Sequence, residues 1–215
     1  MRFPVLMLCR SLLSFAFILL VVLGAVPDAH AGAIEQLRSF MAGTPSARGE
    51  FEQRSPAQGA RGPETSSGSF AFTRPGKFRW EVRKPFEQLL IADGEQLFFY
   101  DRDLNQVTVK RLGEALGQTP AAVLFGTGDP ERSFTLRELP PRDGLAWVEL
   151  VPHSREAGVH RIAIGFRDGL PAQMEVLDAF SRTSIFRFRG VVRAAGHAPE
   201  TFRFAIPPGA DVLRQ

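Results

Sequence analysis

From Ala47 onward, apolar and polar residues alternate with a period of two in one short segment after another, which leaves this chain few ways to fold. Phe70, Phe72 and Arg74 share one face of a strand ended by Pro75-Gly76, and Phe78, Trp80 and Val82 share one face of the next, ended before Pro85. Residues 88–92 lead into Asp93-Gly94, residues 95–101 follow, and 106–110 resume the pattern. An Asp-Gly pair between two apolar runs is a strong hairpin signal. Alternation returns over 133–139, 145–151, 159–167, 170–178, 183–192 and 201–206, with Asp168-Gly169 as a second such turn. Strands spaced at roughly ten residues with turn signals between them predict an antiparallel meander.

Helical material is scarce. Residues 32–43 carry Ile34, Leu37, Phe40 and Met41 at helical spacing, with Gly43 and Pro45 as a stop. Residues 112–126 lose the alternation, and Thr119-Pro120 reads as an N-cap with proline at the first helical position, so two short helices joined near Gly117 are expected. Residues 53–67, rich in Ser, Gly and Pro, read as a loop. The expected fold is therefore mainly β (α+β): one large sheet of about ten or eleven strands, too wide to stay open and flat. It must close or curl into an incomplete antiparallel β-barrel, and barrels this large leave an interior that side chains do not fill.

Before Ala47 the chain carries an export signal. Arg2 and Arg10 precede the apolar run 12–26, and Ala29-His30-Ala31 supplies a small-x-small cleavage site. Residues 1–31 are expected to be removed and 32–215 to form a single domain in the periplasm. Removal takes Arg2, Arg10 and Asp28, leaving 24 Lys+Arg against 22 Asp+Glu. That near-neutral balance argues against a nucleic-acid binder. The one cysteine, Cys9, also leaves, so no disulfide, thiolate nucleophile or cysteine metal ligand is expected. Cys9 follows Leu8 and precedes the apolar run, a poor setting for lipidation, so no stable membrane anchor is expected. Phenylalanine is abundant, 19 residues against 1 Tyr and 2 Trp. On a curled sheet with few helices to cover it, these rings are candidates for an apolar cavity suited to acyl chains.

Signals for catalysis are weak. His153, His160 and His197 form no metal-ligand spacing, and neither HExxH nor GxSxG occurs. Asp101 and Asp103 fall in a turn ending at Asn105, where such residues are favoured for turn chemistry alone. Arg187, Arg189 and Arg193 are expected on one solvated strand face opposite Phe186 and Phe188, and Trp147 and His160 as packing residues. No enzyme, cofactor or metal is expected.

The stretch Thr73 to Tyr100 is more specific. Its Arg-Pro-x-x-Phe-x-Trp run, then Pro, then Leu-x-x-Asp-Gly-x-x-Leu-x-x-Tyr, resembles the outer-membrane lipoprotein carrier (LolA) family. Phe51-Glu52-Gln53 resembles that family's Phe-x-Gln strand, Gln118-Thr119-Pro120 its central lid, and Phe202-x-Phe before Pro207-Pro208-Gly209 its C-terminal end. The resemblance implies short lid helices over a hydrophobic cavity in a monomeric periplasmic chaperone. Its implied partners are acylated lipoproteins, an inner-membrane ABC-type release complex and an outer-membrane lipoprotein receptor. It further implies that Arg74 gates the lid by bonding to lid backbone. The cavity candidates are then Phe51, Phe70, Phe72, Phe78, Trp80, Leu90, Phe99, Val123, Leu124 and Phe125. Ala121 and Ala122 stand where the family has bulkier lid residues.

On the residues alone, Arg74 is equally compatible with a strand-end ion pair to a carboxylate such as Glu87. A receptor or sensor of the same fold and an exported lipid hydrolase are the competing classes. The missing lipobox counts against the first and the missing nucleophile motif against the second.

Overall fold

The computed structural model describes residues 31–56, 62–115, 124, 129–154 and 158–215. Contacts divide the chain after Ala31, so that Gly32–Gln215 is one compact unit. The signal expected over residues 1–31 lies outside the described residues, apart from Ala31.

The unit opens with helix α1 (Ala33–Gly43), whose Ala33, Leu37 and Phe40 form a buried stripe at helical spacing. Its N-terminus begins after Gly32, which has no side chain to cap it. Glu138 does so from far along the chain, accepting from Ala33 N at 3.0 Å and from Ile34 N at 2.8 Å.

Twelve strands follow: β1 (Ser46–Ser55), β2 (Glu64–Thr73), β3 (Lys77–Lys84), β4 (Gln88–Asp93), β5 (Gln96–Asp101), β6 (Gln106–Arg111), β7 (Phe134–Arg142), β8 (Leu145–Pro152), β9 (Val159–Arg167), β10 (Leu170–Asp178), β11 (Thr183–Arg193) and β12 (Asp211–Arg214). A short helix α2 (Leu112–Ala115) follows β6. All strands belong to one sheet in the order β12-β6-β5-β4-β3-β2-β1-β11-β10-β9-β8-β7. Two meanders, β1 to β6 and β7 to β11, are therefore joined through the long-range pairing of β1 with β11.

The sheet is open at both edges but strongly curled. In a flat sheet β3 and β11 would lie about 14 Å apart, at roughly 4.8 Å per strand. Instead Trp80 of β3 meets Phe186 of β11 with ring centroids 5.9 Å apart. Phe40 of α1 likewise touches Phe72 of β2 at 6.2 Å and Phe166 of β9 at 6.3 Å, so both strands wrap around the helix.

Several expectations need correction. The described residues form twelve strands, and β12 pairs parallel to β6, so the sheet is not wholly antiparallel. Residues 201–206 are not a strand: Pro199–Phe202 forms a 3₁₀ turn and 203–206 run on without pairing. Their alternation has another cause. Phe202 packs on His197, and Phe204 covers Phe98 and Tyr100 on the outer face of β5. The loop expected over 53–67 shortens, because Gln53 to Ser55 pair with Glu64 to Ser66. Strand β7 extends through Pro140 and Pro141, which an edge strand tolerates because one side needs no donors.

Arg193 does not share a face with Arg187 and Arg189. A bulge around Gly190 (φ 58°) shifts the register, and Arg193 lies opposite buried Ala47. A third Asp-Gly hairpin, Asp143-Gly144, joins β7 to β8; both residues have positive φ, as a type I′ turn requires. His160 is exposed and not a packing residue. Trp147 is fully buried, but in a small outer-face cluster with Leu145 and Ala163, where Arg142 lies 3.8 Å from its ring centroid.

Candidate functional site: an aromatic concave face closed by an arginine

Alternation on each strand sends one set of side chains to the inside of the curl, and these form a single cluster. Ala47 and Phe51 come from β1, Phe70 and Phe72 from β2, Phe78 and Trp80 from β3, and Phe186 and Phe188 from β11. Val148, Leu150, Ile162 and Ile164 continue the lining across β8 and β9.

Trp80 is the centre of the aromatic part. Phe51 stacks on it at 3.8 Å between centroids, and Phe70 lies nearly parallel at 6.0 Å. Phe186 and Phe188 meet it edge-on at 5.9 and 6.5 Å, the arrangement that ring quadrupoles favour. Among the described residues only Thr44, Ser46 and Glu149 are buried polar residues. Glu149 pairs with Arg161, and Ser46 donates to the Phe72 carbonyl at 3.0 Å.

Strand β6 lies beside one edge strand of the sheet and β7 is the other edge, so the two stand on opposite sides of the curl. Leu124, the one described residue between 116 and 128, is fully buried in the concave cluster. Its carbonyl accepts a hydrogen bond from Arg74 Nη2 at 2.7 Å.

Arg74 joins three segments. Its backbone N donates to Pro45 O at 2.8 Å, and Nε donates to Thr44 O just beyond α1 at 3.2 Å. Nη2 holds Leu124, while the guanidinium lies 4.9 Å from the Phe72 ring centroid and 5.6 Å from that of Phe40. The planar fork suits this task, since it serves two carbonyls at once and stacks on aromatic faces. Burial disfavours its charge and pulls its pKa down to about 10, so it remains protonated at neutral pH. Thr44 is itself held by Arg193, whose Nε donates to Oγ1 at 3.1 Å. Glu87, the alternative partner for Arg74, is ion-paired with Arg102 instead.

The structure brings Phe51, Phe70, Phe72, Phe78, Trp80 and Leu124 together as buried members of one cluster, with Leu90 packed against it. Phe99 pairs with Leu90 in register and so faces the same side, but it is 38% exposed at the periphery. Val123 and Phe125 lie outside the described residues, as do Gln118-Thr119-Pro120, Ala121 and Ala122. Phe186, Phe188 and Phe40 belong to the same lining and were not among the sequence candidates. The Phe-Arg-Phe-Arg alternation of β11 carried the signal for the first two.

Comparison with known proteins agrees with this architecture. Two solved structures, a LolA superfamily protein from Nitrosomonas europaea and a conserved protein from Thermus thermophilus, share the fold at 11% identity. Their TM-scores are 0.50 and 0.54, covering 79% and 85% of this chain and 95% and 99% of theirs. The outer-membrane lipoprotein carrier protein of Cupriavidus necator is 50% identical over 190 residues, 87% of this chain and 90% of that protein. That of Bordetella pertussis is 43% identical over 209 residues, 97% of this chain and 99% of its own. Residues 42–205 match the family model for the outer membrane lipoprotein carrier protein LolA. With the sheet, the aromatic lining and these relatives in agreement, the chain belongs to the LolA family of outer-membrane lipoprotein carrier proteins.

Proposed function

We propose that this protein is a periplasmic carrier that shields the acyl chains of lipoproteins released from the inner membrane and delivers them to a receptor at the outer membrane. It is a transport chaperone and changes no covalent bond. The observation that carries this reading is the aromatic concave face under the Arg74–Leu124 tether.

Each buried methylene is worth about 0.8 kcal/mol, so an acylated protein does not cross water unaided. A carrier has to hide such chains and still give them up. Ring and aliphatic contacts are non-directional and accommodate chains in many registers. Hydrogen bonds to a head group would fix one pose and slow release.

Phe51 and Phe70 pack on Trp80, and Leu124 is buried in the same cluster, so entering chains have to separate the rings and displace Leu124. The Arg74 bonds then break, and its desolvated charge regains water. Closure and cargo therefore compete for the same surface. Arg74, with Thr44 and Leu124 as its acceptors, sets the balance between them. Export through a signal over 1–31 and the exchange with an ABC-type release complex and an outer-membrane receptor belong to the same proposal.

Arg74→Leu is expected to leave the fold intact while weakening the closed empty form, so cargo is accepted but handed on poorly. Transfer from the purified variant to the receptor at the wild-type rate would remove the gate role. Phe78→Glu or Trp80→Glu is expected to abolish retention of lipoprotein in solution, and undiminished retention would refute their place in the binding surface. Mass spectrometry of protein purified from the periplasm should find acylated lipoprotein bound to it. Turnover of lipid esters without bound cargo would favour a hydrolase.

A further inference from the structure

Thr44 is fully buried, and its N–H, carbonyl and hydroxyl are each engaged by a different part of the fold. The N–H donates to Phe40 O of α1 at 3.1 Å, the carbonyl accepts from Arg74 Nε at 3.2 Å, and the hydroxyl accepts from Arg193 Nε at 3.1 Å. Helix α1 does not end on a left-handed glycine: Thr44 follows it with φ −124° and ψ 81°, and Pro45 comes next. No standard helix ending therefore sets where the Thr44 carbonyl stands. Its neighbours do. Arg74 N donates to Pro45 O at 2.8 Å and Ala194 N to Ser46 O at 2.9 Å, which suspends residues 44–46 between the end of β2 and the end of β11.

Arg193 reaches Thr44 only because β11 is built to turn it inward. Arg187 and Arg189 of the same strand face outward, where both pair with Glu52, and unbroken alternation would send Arg193 the same way. Between Arg189 and Val192 the strand instead sets two residues opposite Gly49 alone. Gly190 supplies the left-handed φ of 58°, and a Cβ on Gly49 would come within 2.8 Å of the Phe70 ring and 3.2 Å of Arg189 O. Beyond this bulge Arg193 pairs in register with buried Ala47, and its Nε meets the Thr44 hydroxyl. Re-aiming one side chain is a common use of bulges beside functional sites.

We propose that Arg193 is a positioning residue for the gate: its bond to the Thr44 hydroxyl holds the Thr44 carbonyl where Arg74 Nε uses it. This rests on the reading of Arg74 as the gate. The role needs one donor, Nε, and not the charge of the guanidinium, since the partner is a neutral hydroxyl. Without that donor the Thr44 carbonyl is free to turn from Arg74, and the closed empty form loses part of its advantage over cargo. Arg193 acts through Thr44 on Arg74, so its effect vanishes when Arg74 is absent.

Binding of a dansyl-labelled fatty acid to protein purified from the periplasm and stripped of lipid tests this. A weaker closed form competes less with the probe, so affinity rises. Arg193→Met removes the donor while keeping the length of the side chain up to Nε, and Thr44→Val removes the acceptor. Each is expected to tighten binding about threefold to tenfold, and the two together no more than either alone. Arg193→Gln places an amide nitrogen where Nε stood and should restore wild-type affinity although the charge is gone. Arg189→Gln, on the outer face of the same strand, should have no effect. In an Arg74→Leu background, which itself binds more tightly, Arg193→Met should add nothing. Should Arg193→Met fail to fold, Thr44→Val carries the same test. Wild-type affinity in Arg193→Met, with tighter binding in Arg74→Leu, would overturn the proposal and leave the gate standing. Wild-type affinity in Arg74→Leu would remove both. An Arg193→Met effect that persists undiminished without Arg74 would mark a merely structural contact and overturn the proposal too.

Discussion

Two stretches of the concave wall are equally dry but differently built. On β8 and β9 the wall is mostly aliphatic, with Val148, Leu150, Ile162 and Ile164 exposed by 0–2%, and Phe166 of β9 is the ring that meets Phe40 of α1. Across β1, β2, β3 and β11 it is aromatic, with Phe51, Phe70, Trp80, Phe186 and Phe188 exposed by 3–8%. Branched side chains are stiff at χ1 and interlock in one arrangement, and here they stand behind α1, which packs on β7, β8 and β9. Flat rings can slide over one another with small changes in energy. On the proposed carrier reading, the contrast separates a fixed body, β7 to β9 with α1, from a wall that can part, the aromatic strands proposed as the cargo surface.

The comparison breaks most readily at Ile164. Ile164→Ala should cost about 2–5 kcal/mol of stability by chemical denaturation, with fatty-acid probe binding per folded molecule unchanged. Trp80→Leu should cost less, about 1–3 kcal/mol, because only ring pairing and part of the volume are lost, yet it should weaken probe binding clearly. If both variants lose stability and binding in the same proportion, the two walls are one core and the division fails. Glu138→Gln removes the charged acceptor at the N-terminus of α1 and should cost about 0.5–2 kcal/mol, again without changing probe affinity.

The smallest effect concerns pH. A cation whose pKa is depressed by burial carries its full cost of charge below that pKa, and the cost fades as pH rises through it. For Arg74 that point is about 10, so lid closure should be flat across neutral pH and change only in strong alkali. Probe uptake measured on either side of neutrality checks this.

Most of the sheet was legible because burial on one face leaves a period of two, as in Phe70 to Phe72 and Phe78 to Val82. What escaped was the structure whose partner is distant in sequence. Phe202 and Phe204 alternate like a strand, but Phe202 packs on His197 and Phe204 covers the outside of β5, and nothing local distinguishes these uses from strand pairing. The four residues of β12 are too few to show a period, and their pairing with β6 spans the whole C-terminal excursion. Arg193 was misplaced because one bulged residue reverses every side chain beyond it. The cap that Glu138 gives α1 acts across about a hundred residues and leaves no local pattern.

The Arg74 bonds to backbone carbonyls, on which the proposed gate rests, were legible only through resemblance, since an arginine at a strand end fits a carboxylate pair as well as two carbonyls. The geometry distinguishes them, with Glu87 on Arg102 and Arg74 on Thr44 and Leu124.

The central claim is that acyl chains lie against the aromatic wall. A lipoprotein labelled with a diazirine-bearing fatty acid, photolysed on the carrier and mapped by mass spectrometry, tests it most directly. Cross-links are expected at Phe51, Phe70, Trp80, Phe186 and Phe188, and their yield should fall in Trp80→Leu. Cross-links confined to the outer-face cluster of Leu145, Trp147 and Ala163, or a pattern unchanged by that substitution, would contradict it.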